Sequence, residues 1–81
     1  MSMKITYVPG IKGIYGPRVW APQKHMLLRD FLRLNSIWGA TSEQKTVNGE
    51  QYFMYELPDG ILEDEFFKIA LSRLGVTLEE A

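Results

Sequence analysis

The sequence predicts an α+β fold, and three features carry that prediction. Two stretches place apolar residues at helical spacing, one segment has the full signature of a β-hairpin, and the N-terminus holds short branched and aromatic runs. The expected arrangement is a small, mostly antiparallel sheet that includes a 43–57 hairpin. Two amphipathic helices, about 22–38 and 61–74, pack on one of its faces.

Taken in order, Lys4-Ile5-Thr6-Tyr7-Val8 is a strand-type run closed by Pro9-Gly10. Gly10, Gly13 and Gly16 then recur every third position between two prolines, which no helix survives. The segment reads as a loop leading into a second short strand, Arg18-Val19-Trp20. Pro22 suits a first helical position, where its missing N–H costs nothing, and Gly39 supplies the stop. At 100° per residue, Leu27, Phe31, Leu34 and Trp38 fall within an arc of about 60°, with Leu28 and Leu32 beside it. That arc is the expected buried face. His25, Arg29, Arg33 and Ser36 form the polar strip.

Asn48-Gly49 accepts the two positive φ angles of a type I′ turn, and its flanks have strand composition. Alternation sends Phe53, Tyr55 and Leu57 to one face, Tyr52 and Met54 to the other. Pro58-Asp59-Gly60 turns the chain into the second helix. Leu62, Phe66, Ile69 and Ala70 are its expected inner face, widened by Phe67, Leu71 and Leu74, and Gly75 ends it. Thr77 and Glu80 have capping-box spacing, but too little chain follows for a helix, so 76–81 is expected to fray.

With 81 residues and 46% hydrophobic content, the chain is expected to form one small globular domain and is too apolar for disorder. The doubled methionine leaves the natural start open between Met1 and Met3, Met1-Ser2 then being an appended remnant. The N-terminus has no apolar core of a signal peptide, and no apolar stretch reaches the roughly 20 residues of a membrane span. Zero Cys and one His exclude disulfides, Cys-based zinc sites and a His cage, and fit a cytoplasmic setting.

The net charge of −1 conceals a division. Residues 1–40 carry six Lys or Arg against Asp30, whereas residues 41–81 carry three against nine Asp or Glu. Such asymmetry is either an interaction surface or charge that intermixes once the halves fold together.

Each candidate site has a structural alternative. The glycine loop, flanked by Lys12 and Arg18, can form an anion nest, but it lacks the order of a phosphate loop or a dinucleotide fingerprint. Gly10-Ile11-Lys12-Gly13 matches the Gly-x-x-Gly clamp of KH-type RNA binders in spacing only, because Pro9 and Pro17 forbid the flanking helices. A plain structural turn is the favoured reading. The basic set Arg18, Lys24, His25, Arg29 and Arg33, with Trp20 nearby, can hold phosphates and stack bases, or else pair with the acidic half. His25 has no catalytic partner, since Ser36 on the same helix lies three turns away. The acidic set Glu56, Asp59, Glu63, Asp64 and Glu65 lacks EF-hand spacing and already has a purpose at a helix N-terminus. A surface offered to a basic partner is its functional alternative. Trp20, Tyr52, Met54 and Tyr15 exceed what a thin core needs and are the expected partner-binding residues.

The function expected from these features is a small non-enzymatic protein-binding module, an adaptor or inhibitor without cofactor or metal. Its size and composition fit phage or mobile-element products that act on a host or defence protein. A protein partner ranks first, with self-association as a homodimer beside it and no membrane contact. The alternative is a nucleic-acid-binding domain that uses the basic helix edge with Trp20.

Overall fold

A computed structural model of the chain describes residues 3–37 and 40–81. Trp38 and Gly39, assigned above to the buried arc and the helix stop, lie outside the described residues. Five strands form one sheet: β1 (Met3–Val8), β2 (Arg18–Pro22), β3 (Ala40–Val47), β4 (Glu50–Glu56) and β5 (Val76–Glu80). Two helices, α1 (Met26–Asn35) and α2 (Glu65–Arg73), complete the expected α+β architecture. The strand order is β3-β4-β2-β1-β5, antiparallel at every pairing except β1 with β5. β2 and β3 therefore run parallel, as do β4 and β5. The chain makes two interleaved crossovers, α1 joining β2 to β3 and α2 joining β4 to β5.

Side chains alternate across this sheet as strand geometry requires. Ile5, Val19, Ala21, Tyr55, Leu57 and Val76 face the helices and meet Leu28, Leu32, Phe67 and Leu71 in one cluster. Phe31 of α1 stacks on Phe67 of α2 with ring centroids 5.2 Å apart. Both helices thus lie on one face. The opposite face is uncovered and carries Trp20, Tyr52 and Met54. The β3–β4 turn is built on Asn48 at φ 52° and Gly49 at φ 81°, as the sequence predicts.

Four boundaries differ from the sequence reading, each for a local reason. α1 ends at Asn35, short of the expected 38, because Ser36 is extended and the Ile37 N–H donates to the Glu56 carbonyl of β4. Pro22 ends β2 opposite Tyr52 and does not open the helix, because the Gln23 N–H donates to the Gln51 carbonyl and holds the chain extended. β1 reaches only Arg18 and Val19, so the missing N–H of Pro22 interrupts no ladder on that side. Residues Ile61–Glu63 form a separate 3-10 turn, and α2 starts at Glu65 because Asp64 is its cap, accepting from the Phe67 N–H at 2.9 Å. The segment expected to fray is β5. Val76 and Leu78 turn inward and Thr77 and Glu79 outward, a strand alternation that the capping-box spacing of Thr77 and Glu80 conceals. Gly75, at φ 74°, ends α2 as expected, and its carbonyl accepts from the Met3 N–H.

Asp64 caps α2 and His25 caps α1, the His25 Nδ1 accepting from the Leu28 N–H at 3.2 Å. Asp64→Ala is expected to lower stability by about 1 kcal/mol, measured by urea denaturation, while Asp64→Ser retains most of it. Equal losses in both variants would assign the effect to the carboxylate charge at the helix N-terminus and not to the cap hydrogen bond.

Candidate functional site

The helices are turned relative to the reading from periodicity. In α1, Leu28 and Leu32 are fully buried, whereas Leu27 is 68% and Leu34 86% exposed. In α2, Phe67 and Leu71 are buried, whereas Phe66 is 84% and Ile69 48% exposed. Both helices are rotated by roughly one residue, about a quarter turn, from the expected orientation. Each helix carries two adjacent apolar stripes. The sheet takes one and leaves the other to solvent.

The unused stripes face one another. Leu27 and Phe31 from α1 and Phe66, Ile69, Ala70 and Leu74 from α2 line a groove of about 530 Å³, with Arg73 on its rim. Isolated exposed leucines are ordinary on protein surfaces, but a contiguous apolar face across two helices marks a contact site. The sequence signal for it was present as doublets. Leu27-Leu28, Phe31-Leu32 and Phe66-Phe67 put large apolar side chains on both stripes at once, more than a two-layer domain can cover.

The aromatic residues singled out from the sequence do come together, on the uncovered sheet face. Trp20 lies opposite Met54 and Pro22 opposite Tyr52 across β2 and β4. Lys45 sits over the Trp20 ring at 4.5 Å, and Arg18 stands over Tyr15 at 5.2 Å. Trp20 and Tyr52 are half-buried, Met54 is buried beneath its neighbours, and Tyr15 is only just exposed. This face is partly self-covered, in contrast with the helix face.

The basic residues do not form one strip. Lys24 pairs with Glu50 at 3.2 Å and Arg18 with Glu56 at 3.5 Å. The Arg29 guanidinium donates to the Gln23 carbonyl at 2.8 Å and lies over the Phe53 ring, which ties it to the hairpin. The His25 Nδ1 is occupied by its cap hydrogen bond, and Arg33 is exposed. Trp20 lies on the sheet face away from α1. These pairings let basic and acidic halves of the sequence intermix on one surface.

Four of the five acidic residues are likewise engaged. Asp59 accepts from the Gly13 N–H at 2.8 Å, Asp64 caps α2, Glu56 holds Arg18, and Glu65 pairs with Lys68 at 3.6 Å. Glu63 is exposed. Among the described residues, no three His, Cys, Asp or Glu side chains converge to hold a metal ion. The glycine loop closes on itself through an Ile11–Tyr15 bridge. The anion that its Gly13 N–H receives is the chain's own Asp59. Among the described residues, no helix is long and apolar enough to cross a membrane.

Comparison with protein-family models, with curated proteins and with solved structures finds no match to this chain. The functional reading therefore rests on the surface itself.

Proposed function

We propose that this chain is a non-enzymatic protein-binding module, acting as an adaptor or inhibitor in the cytoplasm. The observation that carries the reading is the apolar face of the helix layer, where Leu27, Leu34, Phe66 and Ile69 are all exposed. Burying such a face returns about 25 cal/mol per Å² of apolar surface removed from water, a gain open only to an apolar partner surface. The open sheet face, with the half-buried Trp20 and Tyr52 laid over a buried Met54, supplies a second contact surface of the kind an adaptor needs. A phage or mobile-element product directed at a host or defence protein fits this format.

Affinity capture from native lysate tests the reading. A partner is expected that survives nuclease treatment. Phe66→Asp on the helix face, or Trp20→Ala with Tyr52→Ala on the sheet face, is expected to reduce its recovery about tenfold or more, as loss of an interface anchor does. Recovery that disappears with nuclease, or that no variant on either face alters, would remove this reading.

A further inference from the structure

We infer that the apolar helix face of this protein receives a second copy of the same chain, related by a two-fold axis that crosses α1 and α2 in the plane of the interface. This rests on the reading that the helix face contacts protein, and it names the partner.

The shape of the face is self-complementary. α1 and α2 run in opposite directions, because α1 returns the chain between the parallel strands β2 and β3, α2 returns it between the parallel strands β4 and β5, and the two pairs are antiparallel to one another. The Phe31–Phe67 stack fixes where they pass. Measured from that point, Leu34 and Phe66 lie toward one end, and Leu27, Ala70 and Leu74 toward the other. Leu34 and Phe66 are the two most exposed large apolar side chains among the described residues, at 86% and 84%. Leu27, Ala70 and Leu74 line the groove, which Phe66 borders, whereas Leu34 stands outside it. A two-fold axis that exchanges the ends sets the projecting Leu34 of each copy toward the Leu27 end of the other copy's groove. A closed dimer requires this kind of self-matching patch, with one surface serving both partners.

The charges agree with a second copy. The two helices expose both signs, Asp30 and Glu65 beside Arg33 and Arg73, and Arg73 lines the groove. A second copy offers both signs in return, which a partner of single charge sign does not. The area agrees as well. The exposed parts of Leu27, Leu34, Phe66 and Ile69 amount to on the order of 500 Å² of apolar surface. A standard interface takes about 800 Å² per partner, about 65% of it apolar in homodimers. A chain of 81 residues buries a small core, so a shared helix layer also strengthens the fold.

Light scattering coupled to size exclusion, with sedimentation velocity, tests the proposal from about 1 µM to about 1 mM protein, a range that spans weak to moderate affinities. The wild-type chain is expected to approach twice its 9.3 kDa mass as concentration rises. Leu34→Asp and Phe66→Asp are expected to hold the monomer mass across the range with an unchanged far-ultraviolet spectrum, since neither side chain supports the core. Ile14→Asp, on the exposed tip of the glycine loop, is expected to dimerise like the wild type. A wild-type chain that stays monomeric throughout overturns the proposal, as does a dimer indifferent to both helix-face variants or broken by Ile14→Asp. A monomer that still captures a foreign protein through Phe66 removes the second copy and leaves the protein-binding reading standing. A monomer with no capture dependent on either face removes both.

Discussion

Leu32→Ala is expected to cost about 3 kcal/mol of stability, and Leu34→Ala, two positions on, less than about 0.5 kcal/mol in dilute solution. The contrast follows from burial. Leu32 is completely enclosed between α1 and the sheet, so truncation removes its transfer energy and leaves a cavity in a packed core. Leu34 stands 86% exposed, and alanine is the better helix former at an exposed site. Urea denaturation of the two variants measures the difference directly. It also decides which way α1 is turned, because periodicity alone places Leu34 inside and treats Leu32 as marginal. If Leu34→Ala proves the costlier change, α1 presents the opposite stripe to the sheet and the proposed contact face disappears.

Gly16→Ala is expected to destabilise the fold by about 3 kcal/mol, at the upper end of ordinary overpacking costs. A Cβ at Gly16 would stand 1.9 Å from the Leu57 carbonyl oxygen and 2.6 Å from the Pro58 carbonyl carbon, both backbone atoms that cannot swing aside. The loop is held there by the Leu57 N–H donating to the Pro17 carbonyl, so neither segment can retreat without losing a ladder-like contact. Gly13 makes the control. A Cβ there meets nothing within 4 Å, and only its φ of +83° is unfavourable, so Gly13→Ala is expected to cost about 1 kcal/mol. Near-equal losses in the two variants, by thermal or urea unfolding, would show that the close approach at Gly16 is not what fixes the loop. The ranking also assigns the three-glycine segment its role. It is a compact structural turn whose first and third glycines admit neighbouring backbone, and whose middle glycine donates to Asp59.

The site was only half legible. Met54 and Tyr52 could be placed on one sheet face because strand alternation has a period of two, but Trp20 joins them only through the pairing of β2 with β4, a register that no local pattern contains. The helix-face residues were present in the pattern but were assigned inward. Leu27 and Leu28 differ by 100° around a helix, and an apolar arc that wide has no unique centre. Likewise the cations of the first half were correctly seen as numerous, while their partners Glu50 and Glu56 became apparent only once β4 lay beside β2 and the start of α1.

What the sequence determined by itself was local. Asn48-Gly49 dictates its turn, Gly75 stops its helix, alternation defines the hairpin faces, and composition excludes disulfides and Cys-based metal sites. The decisions made only by the tertiary structure concern direction. Val76–Glu80 is a strand because β1 offers it a parallel partner, a pairing between the two ends of the chain that no local window contains. Which stripe of each helix is buried is set by where the two crossovers deliver α1 and α2 onto the sheet, with His25 and Asp64 fixing the phase at each helix start. Local propensity prescribes the amount of apolar surface a helix carries. Only packing against a second layer decides which part of it is left for a partner.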